Sequence, residues 1–357
     1  MSNSPNSLTR RLGLSTPIIQ APMAGVSTPA LAAAVSNAGG LGSLGVAAMN
    51  TEAARTAIRQ TRALTDKPFN INVFCHAPAV RDEAREAGWL AYLAPQFAEF
   101  GATPPTGLHE IYSTFLIDDA MLQMLVEEKP AVVSLHFGLP DAQRITALKD
   151  AGIYLMATAT SVDEAKAIAA AGIDAIVAMG IEAGGHRGIF DPDAHDERLG
   201  VFALTRLLVK NVDLPIVAAG GIMDGAGIAA VLALGAQAAQ MGTAFVSCPE
   251  SAADEPYRQA LLGHETIRTT FTTAISGRLA RGIANRFTAL GEAVDCPPLP
   301  DYPVVYDAGK ALHAAAKARG NSAFAAQWAG QAAQLSRGLA AAELMQALQI
   351  ELAALRT

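Results

Sequence analysis

Short apolar runs alternate with alanine-rich helical stretches along most of this chain, and that alternation restricts the fold more than any other feature. Eight runs read as strands: 17–23, 41–46, 69–75, 131–137, 153–158, 175–179, 215–219 and 238–244. Between them, residues 28–37, 51–62, 142–150, 161–171, 201–210 and 225–234 carry helical periodicity, the first with Ser27 or Thr28 placed to cap it. Eight strand–helix units suit a closed parallel barrel, whereas an open doubly wound sheet usually has roughly five or six. Runs such as 131–135 and 215–219 are almost wholly apolar, as strands covered on both faces are. The expected fold is an α/β protein, a (β/α)8 TIM barrel carrying a smaller cap.

The alternation fails in two places. Residues 76–116 are more polar, hold Pro95, Pro104 and Pro105, and suggest two helical segments. From about His264 the pattern stops, and residues 265–330 hold a Thr-rich segment, Arg278, Arg281, Arg286 and prolines between 297 and 303. We therefore expect a barrel over 1–264, with 76–116 partly in the cap, and a cap or substrate domain over 265–330. A C-terminal segment, 331–357, would return to the barrel wall with its helix 340–355.

Composition narrows the partners. With 51% hydrophobic and 17% charged residues, the chain can bury a large core, and its net charge of −7 disfavours nucleic acid and anionic membrane. No apolar run approaches the ~18 residues a bilayer span needs. No apolar signal core follows Arg10 and Arg11, so the cytoplasm is the expected compartment. Cys75, Cys248 and Cys296 are few and scattered, which suits small buried residues better than disulfides or a zinc site. A monomer or homodimer is expected.

In such barrels the chemistry sits in the loops after the strands. Five segments offer suitable residues there: 20–25 (Gln-Ala-Pro-Met-Ala-Gly), Asn70 with Asn72, 179–188 (Met-Gly-Ile-Glu-Ala-Gly-Gly-His-Arg-Gly), 219–222 (Ala-Gly-Gly-Ile) and 240–244 (Gln-Met-Gly-Thr-Ala). Gly220 and Gly221 follow the seventh strand, and Gly242 and Thr243 lie beside the end of the eighth, the region where barrels commonly bind phosphate. Glycine lets backbone N–H groups approach an anion, and the Thr243 hydroxyl adds a donor. A phosphate-bearing ligand follows, and FMN is the commonest large one in this architecture. The same glycines would also serve tight turns alone. Neither a GxGxxG after the first strand nor a GxxxxGK[ST] is present.

His186 sits among glycines at the expected mouth, where an imidazole can take a proton or stabilise a developing negative charge. A solvent-exposed loop histidine is the plainer reading. His136 ends the fourth strand and can line the same cavity, and His76 follows the third. His109, His195, His264 and His313 have no chemical context, and no histidine pair has metal-ligand spacing, so no metal is expected. Tyr302, Tyr306 and Lys310 stand at steps of four. On one helical face they would attract a small anion, although core tyrosines and a surface lysine share that spacing.

Taken in order along the chain, residues 20–25 with the following Val-Ser-Thr-Pro, the Asn-bearing third strand, 182–188 and 219–222 with 240–243 resemble the nitronate monooxygenases. The wording Glu-Ala-Gly-Gly-His-Arg-Gly and the Tyr302/Tyr306/Lys310 segment resemble class I of that family. The resemblance implies bound FMN and O2-dependent oxidation of an alkyl nitronate, propionate 3-nitronate foremost, to a carbonyl compound and nitrite. It implies FMN contacts from Met23, Asn72, Met179, Gly184, Gly221, Gln240, Met241, Gly242 and Thr243. His186 would be the catalytic histidine, with Tyr302, Tyr306, Lys310 and His136 around the substrate. The chain departs at Met179, where class I members usually carry Gln against the flavin, and a thioether cannot replace an amide's donors. Two other readings remain: an NAD(P)H-dependent flavin reductase of an enoyl thioester or quinone on the same barrel, and a non-catalytic flavin-binding protein.

Overall fold

The computed structural model describes residues 7–263 and 267–355. Its strands, in chain order, are β1 (Ile18–Gln20), β2 (Gly42–Gly45), β3 (Phe69–Phe74), β4 (Val132–His136), β5 (Tyr154–Ala159) and β6 (Ala175–Met179). They continue with β7 (Gly185–His186), β8 (Ile216–Ala219), β9 (Ala238–Met241), β10 (Thr269–Thr272) and β11 (Ala280–Ile283). Eight of them form one all-parallel sheet in the order β1-β9-β8-β6-β5-β4-β3-β2. Leu41 closes the ring by donating to the Ile18 carbonyl at 3.0 Å and accepting from Gln20 N at 2.9 Å. The Gln20 side chain tightens the same seam, its Oε1 accepting from Ser43 N at 2.8 Å. The expected (β/α)8 barrel is therefore the observed one.

Strand parity sorts the side chains. Ile71, Val73, Val133, Leu135, Leu155, Ala157, Ile176 and Ala178 face the helix layer and share one buried core. Their alternates face inward. At the bottom Ile19, Val132, Met156, Val177 and Val217 pack together, sealed by Leu8 and Leu12 of the helix Ser7–Leu12. That plug was not foreseen, because two leucines four apart are too short a pattern to mark a helix. Above them lies a polar band, in which Asn70 Nδ2 donates to Ser43 and Ser134 hydroxyls at 3.2 and 2.9 Å. A packed bottom and polar middle leave only the C-terminal mouth for a ligand.

The caps explain where helices begin. Thr28, not Ser27, caps Pro29–Asn37, accepting from Leu31 N at 3.0 Å. Ser27 instead accepts from Met23 N and Gln20 Nε2, both at 3.0 Å, and so folds the turn after β1. The run expected as a strand over 238–244 breaks after Met241, and Thr243–Val246 is a short helical turn. The stretch 76–116 holds one helix rather than two, Glu83–Glu99, which continues through Pro95.

That helix packs on Val304–Lys317 through Trp89, Leu93, Phe97, Val305 and Leu312, with Phe287 and Phe324 completing a separate core. Strands β10 and β11 pair antiparallel, and β11 also pairs with β7. The expected boundary at 264/265, with His264 and Thr266, lies outside the described residues. The last helix, Ala341–Ala354, buries Leu344, Met345, Leu348 and Leu352 against Leu31, Val35, Ile228 and Val231 of the barrel's helices. Each such side chain contributes about 1.5–3 kcal/mol of transfer free energy. No helix among the described residues is long and apolar enough to cross a membrane.

Candidate active site at the barrel mouth

The C-terminal ends of the barrel strands open into a cavity that is partly open to solvent. Its floor and sides are the residues that parity turns inward at the top of each strand: Asn72 and Phe74 of β3, Ser134 and His136 of β4, Thr158 of β5, Met179 of β6, Ala219 of β8 and Gln240 of β9. Met23, after β1, and Met241 also border it.

One side is built of glycine. Gly220 and Gly221 adopt φ of 129° and 67°, a region closed to most side chains. A Cβ at Gly184 would come within 2.5 Å of the backbone at Ala329 and Gly330. Gly242 and Thr243 complete this side, with Gly330 donating its N–H to Thr243 Oγ1 at 3.0 Å. The Thr243 hydroxyl therefore accepts from the backbone as well as keeping a proton to donate. The N–H groups of Gly221, Gly242 and Thr243 have no acceptor among the described residues. Glu182 lies close by, but both its oxygens accept from Val201 N, at 3.0 and 2.9 Å, capping the helix Val201–Asn211. The result is a concave patch of backbone donors suited to an anionic group.

The opposite side carries His186. Sequence suggested an irregular loop here, but Gly185 and His186 form β7, stitched to β11 and extended by Arg187 N donating to Leu279 O at 2.8 Å. Arg187 is buried and grips both oxygens of Asp196, at 2.8 and 2.9 Å, while its Nη1 donates to Met179 O. Glu182 and Arg187 are thus staples on either side of the histidine. His186 Nε2 lies 2.9 Å from Ser276 Oγ. Its ring meets Trp328, Tyr302, Phe137 and Tyr306 at centroid distances of 5.1, 5.5, 5.8 and 6.4 Å.

Burial dominates the electrostatics. It drives the His186 pKa down to about 3, helped by the charges of His136, Arg278 and His76. His136 and His76 fall to about 4, again through burial first and Arg278 next. Arg278 is itself buried, stacked 4.2 Å over the Phe137 ring, with no carboxylate in ion-pair contact among the described residues. Phe137 has a φ of 74°, an uncommon left-handed value for an aromatic residue, at the turn that brings it under His186. A cation held this way lends positive potential to the mouth against the chain's negative total.

The tyrosine segment divides. Tyr306 borders the cavity, as do Tyr112, Tyr257 and Trp328. Burial raises the Tyr306 pKa, and the neighbouring Trp328 and Tyr112 side chains act against that rise. Tyr302 stands behind His186, edge-on to it and to His76. Lys310 shares the helix Val304–Lys317 with Tyr306, but its ammonium lies over the rings of Tyr112 and Tyr306, 4.8 and 5.3 Å from their centroids. It meets the site through ring faces, and burial lowers its pKa. Tyr112, Tyr257, Trp328 and Ser276 were missed in the sequence. A signal existed, since five of the chain's eight tyrosines and tryptophans gather here. No group of three or more potential metal ligands clusters among the described residues.

A family model described as Nitronate monooxygenase matches residues 6–351. A nitronate monooxygenase of Paraburkholderia phytofirmans is 67% identical over 341 residues, spanning 96% of this chain and 93% of that protein. One from Pseudomonas aeruginosa is 59% identical over 344 residues, spanning 96% and 98%. Among solved structures, a nitroalkane oxidase from Streptomyces ansochromogenes superposes with a TM-score of 0.88 at 40% identity, over 98% of both chains. With identity at this level along nearly the whole length, on the same barrel, this enzyme belongs to the nitronate monooxygenase family of oxidoreductases.

Proposed function

We propose that the enzyme binds FMN and oxidises an alkyl nitronate, propionate 3-nitronate foremost, with O2 to a carbonyl compound and nitrite. The observation that carries this reading is the cavity's two-sidedness: a glycine patch of free backbone donors faces a neutral histidine set in an aromatic wall. The residues fit the cofactor. Gly221, Gly242 and Thr243 would hold the phosphate, where no Cβ blocks Gly221 or Gly242 from close approach. Met23, Asn72, Met179, Gly184, Gln240 and Met241 would border the rest. What the bound flavin supplies is electron transfer between nitronate and O2.

The chain's own residues place and charge the substrate. A nitronate arrives already deprotonated, so it needs stabilisation more than a base. The buried Arg278 supplies positive potential from beneath Phe137, and Lys310 acts through the faces of Tyr112 and Tyr306. Burial keeps the Tyr306 hydroxyl protonated, so it has a proton to donate. With a neutral nitroalkane, His186 would have to remove the α-proton, and its unprotonated state suits that role. The closely packed aromatic wall limits water around the reacting carbon.

An anaerobic absorbance titration tests the reading. Propionate 3-nitronate alone should bleach the yellow holoenzyme, and NADH should not. Bleaching by NADH alone would move the enzyme to the flavin reductases. A colourless, cofactor-free preparation that cannot be reconstituted with FMN would undo the cofactor assignment.

A further inference from the structure

Three histidines surround the barrel mouth, and their hydrogen bonds separate their roles. His136 Nε2 lies 3.3 Å from the carbonyl oxygen of His186, which can only accept, so Nε2 carries the proton. Its Nδ1 lies 3.0 Å from Thr158 Oγ1 and takes that hydroxyl's proton. Both nitrogens of His136 are engaged, and none is free to serve as a base. His76 is buried, with neither nitrogen partnered among the described residues and no place on the cavity's border. His186 alone borders the cavity with one ring nitrogen bonded, Nε2, and the other, Nδ1, without a partner among the described residues.

The partner of Nε2 decides the tautomer. Ser276 Oγ donates to the Arg278 carbonyl at 3.1 Å and accepts weakly from Arg278 N at 3.4 Å. A hydroxyl has one proton, so with that proton on the carbonyl the 2.9 Å contact must be Nε2–H donating to Oγ. The reverse arrangement would strip the Arg278 carbonyl of its donor. The serine is also fixed in place. It is buried, its N–H bonds Thr273 O at 3.3 Å, and Gly277 bonds the same carbonyl at 2.7 Å. Gly277 has a φ of 87°, and a Cβ there would meet Tyr302 N at 2.8 Å, so the turn is pressed against the segment that carries Tyr302.

We propose that Ser276 is a positioning residue that holds His186 as its Nε2–H tautomer, making Nδ1 the atom that exchanges a proton with substrate. This rests on the reading of His186 as the catalytic histidine. With a neutral nitroalkane, the Cα–H bond breaks as its proton passes to Nδ1. The electron pair forms the C=N bond of the nitronate, and negative charge settles on the nitro oxygens. His186 becomes an imidazolium that keeps its Nε2 proton, still donated to Ser276 Oγ. With a nitronate, the same tautomer presents Nδ1 as a lone pair and takes no proton.

The test is 15N NMR of His186 in the FMN-loaded enzyme at neutral pH, with nitroalkane kinetics of Ser276→Ala and Ser276→Thr. Expected for the unaltered enzyme is a neutral ring protonated at Nε2. A ring protonated at Nδ1, or a doubly protonated ring, would overturn the proposal without any variant. Ser276→Ala should mix the tautomers and lower kcat on a neutral nitroalkane by about tenfold or more, with KM changing less. Ser276→Thr, which keeps the hydroxyl, should restore the tautomer. An unchanged 15N pattern and kcat in Ser276→Ala would also overturn it. His186→Asn separates the two ideas: if it retains nitroalkane turnover, the reading of His186 falls and takes this proposal with it. If it loses turnover while Ser276→Ala changes nothing, only the role of Ser276 falls.

Discussion

His186 works at its scale because burial, rather than a bonded acid, sets its charge. An imidazole taken down to about 3 is neutral throughout the physiological range, so its lone pair is available without deprotonation. Replacing it should separate two substrates that differ by one proton. His186→Asn is expected to cut turnover of a neutral nitroalkane by about a hundredfold or more, the usual worth of a placed base, and to weaken nitronate turnover less. Steady-state kinetics on both substrates checks this, and equal losses would remove the base assignment. The histidine and its glycines were legible from their place after a strand. Lys310 was legible only as a charge, because spacing along a helix puts it on Tyr306's side without saying that it would stack on rings.

At the scale of elements, the site depends on three loops meeting closely: those after β6, β8 and β9, with residues 329–332 laid across them. Gly184 is where the approach is tightest, since a Cβ there would sit 2.5 Å from both Ala329 C and Gly330 N. Backbone cannot move aside as a side chain tip can. Gly184→Ala should therefore displace the 329–330 segment, cost about 1–3 kcal/mol of stability and lower the flavin carried through purification. Flavin-to-protein absorbance ratio and Tm measure both, and full occupancy with an unchanged Tm would show that the contact is not needed. The same loop shows what β7 is for. Two residues of strand are enough to tie the histidine to β11, and a two-residue strand leaves no periodicity to read.

Over the whole molecule, three neutral histidines near the mouth make stability depend on pH. Their folded pKa values, about 3 to 4, lie below the ordinary value of 6.5. Between those limits the unfolded chain binds more protons than the folded one. Stability should therefore be complete above pH 6.5 and fall as pH drops toward 4, by about 1.4 kcal/mol per pH unit for each histidine that must charge. Denaturant midpoints at pH 7.5 and 5.0 measure this. His76 isolates the effect, because among the described residues neither of its nitrogens has a partner to lose. His76→Phe should leave stability at pH 7.5 close to unchanged and flatten the loss at pH 5.0, and an unaltered slope would assign the acid sensitivity elsewhere.

Local order was open to reading in the chain itself. Strand and helix periods, capping residues and glycines at strand ends depend on neighbours a few positions apart, so the barrel, the shared strand face of Asn70 and Asn72 and the place of the mouth followed from them, while the inward direction of that face came from the fold. The wall opposite the glycines is made by contacts between distant residues. Ser276 reaches His186 across 90 positions and His136 reaches it across 50, while Tyr112, Tyr257 and Trp328 arrive from three unrelated segments. Only folding decides which of those groups meet, because packing selects partners by shape and burial and leaves no repeat in the sequence. The charge of His186 was settled there too, since burial and Arg278 act through space.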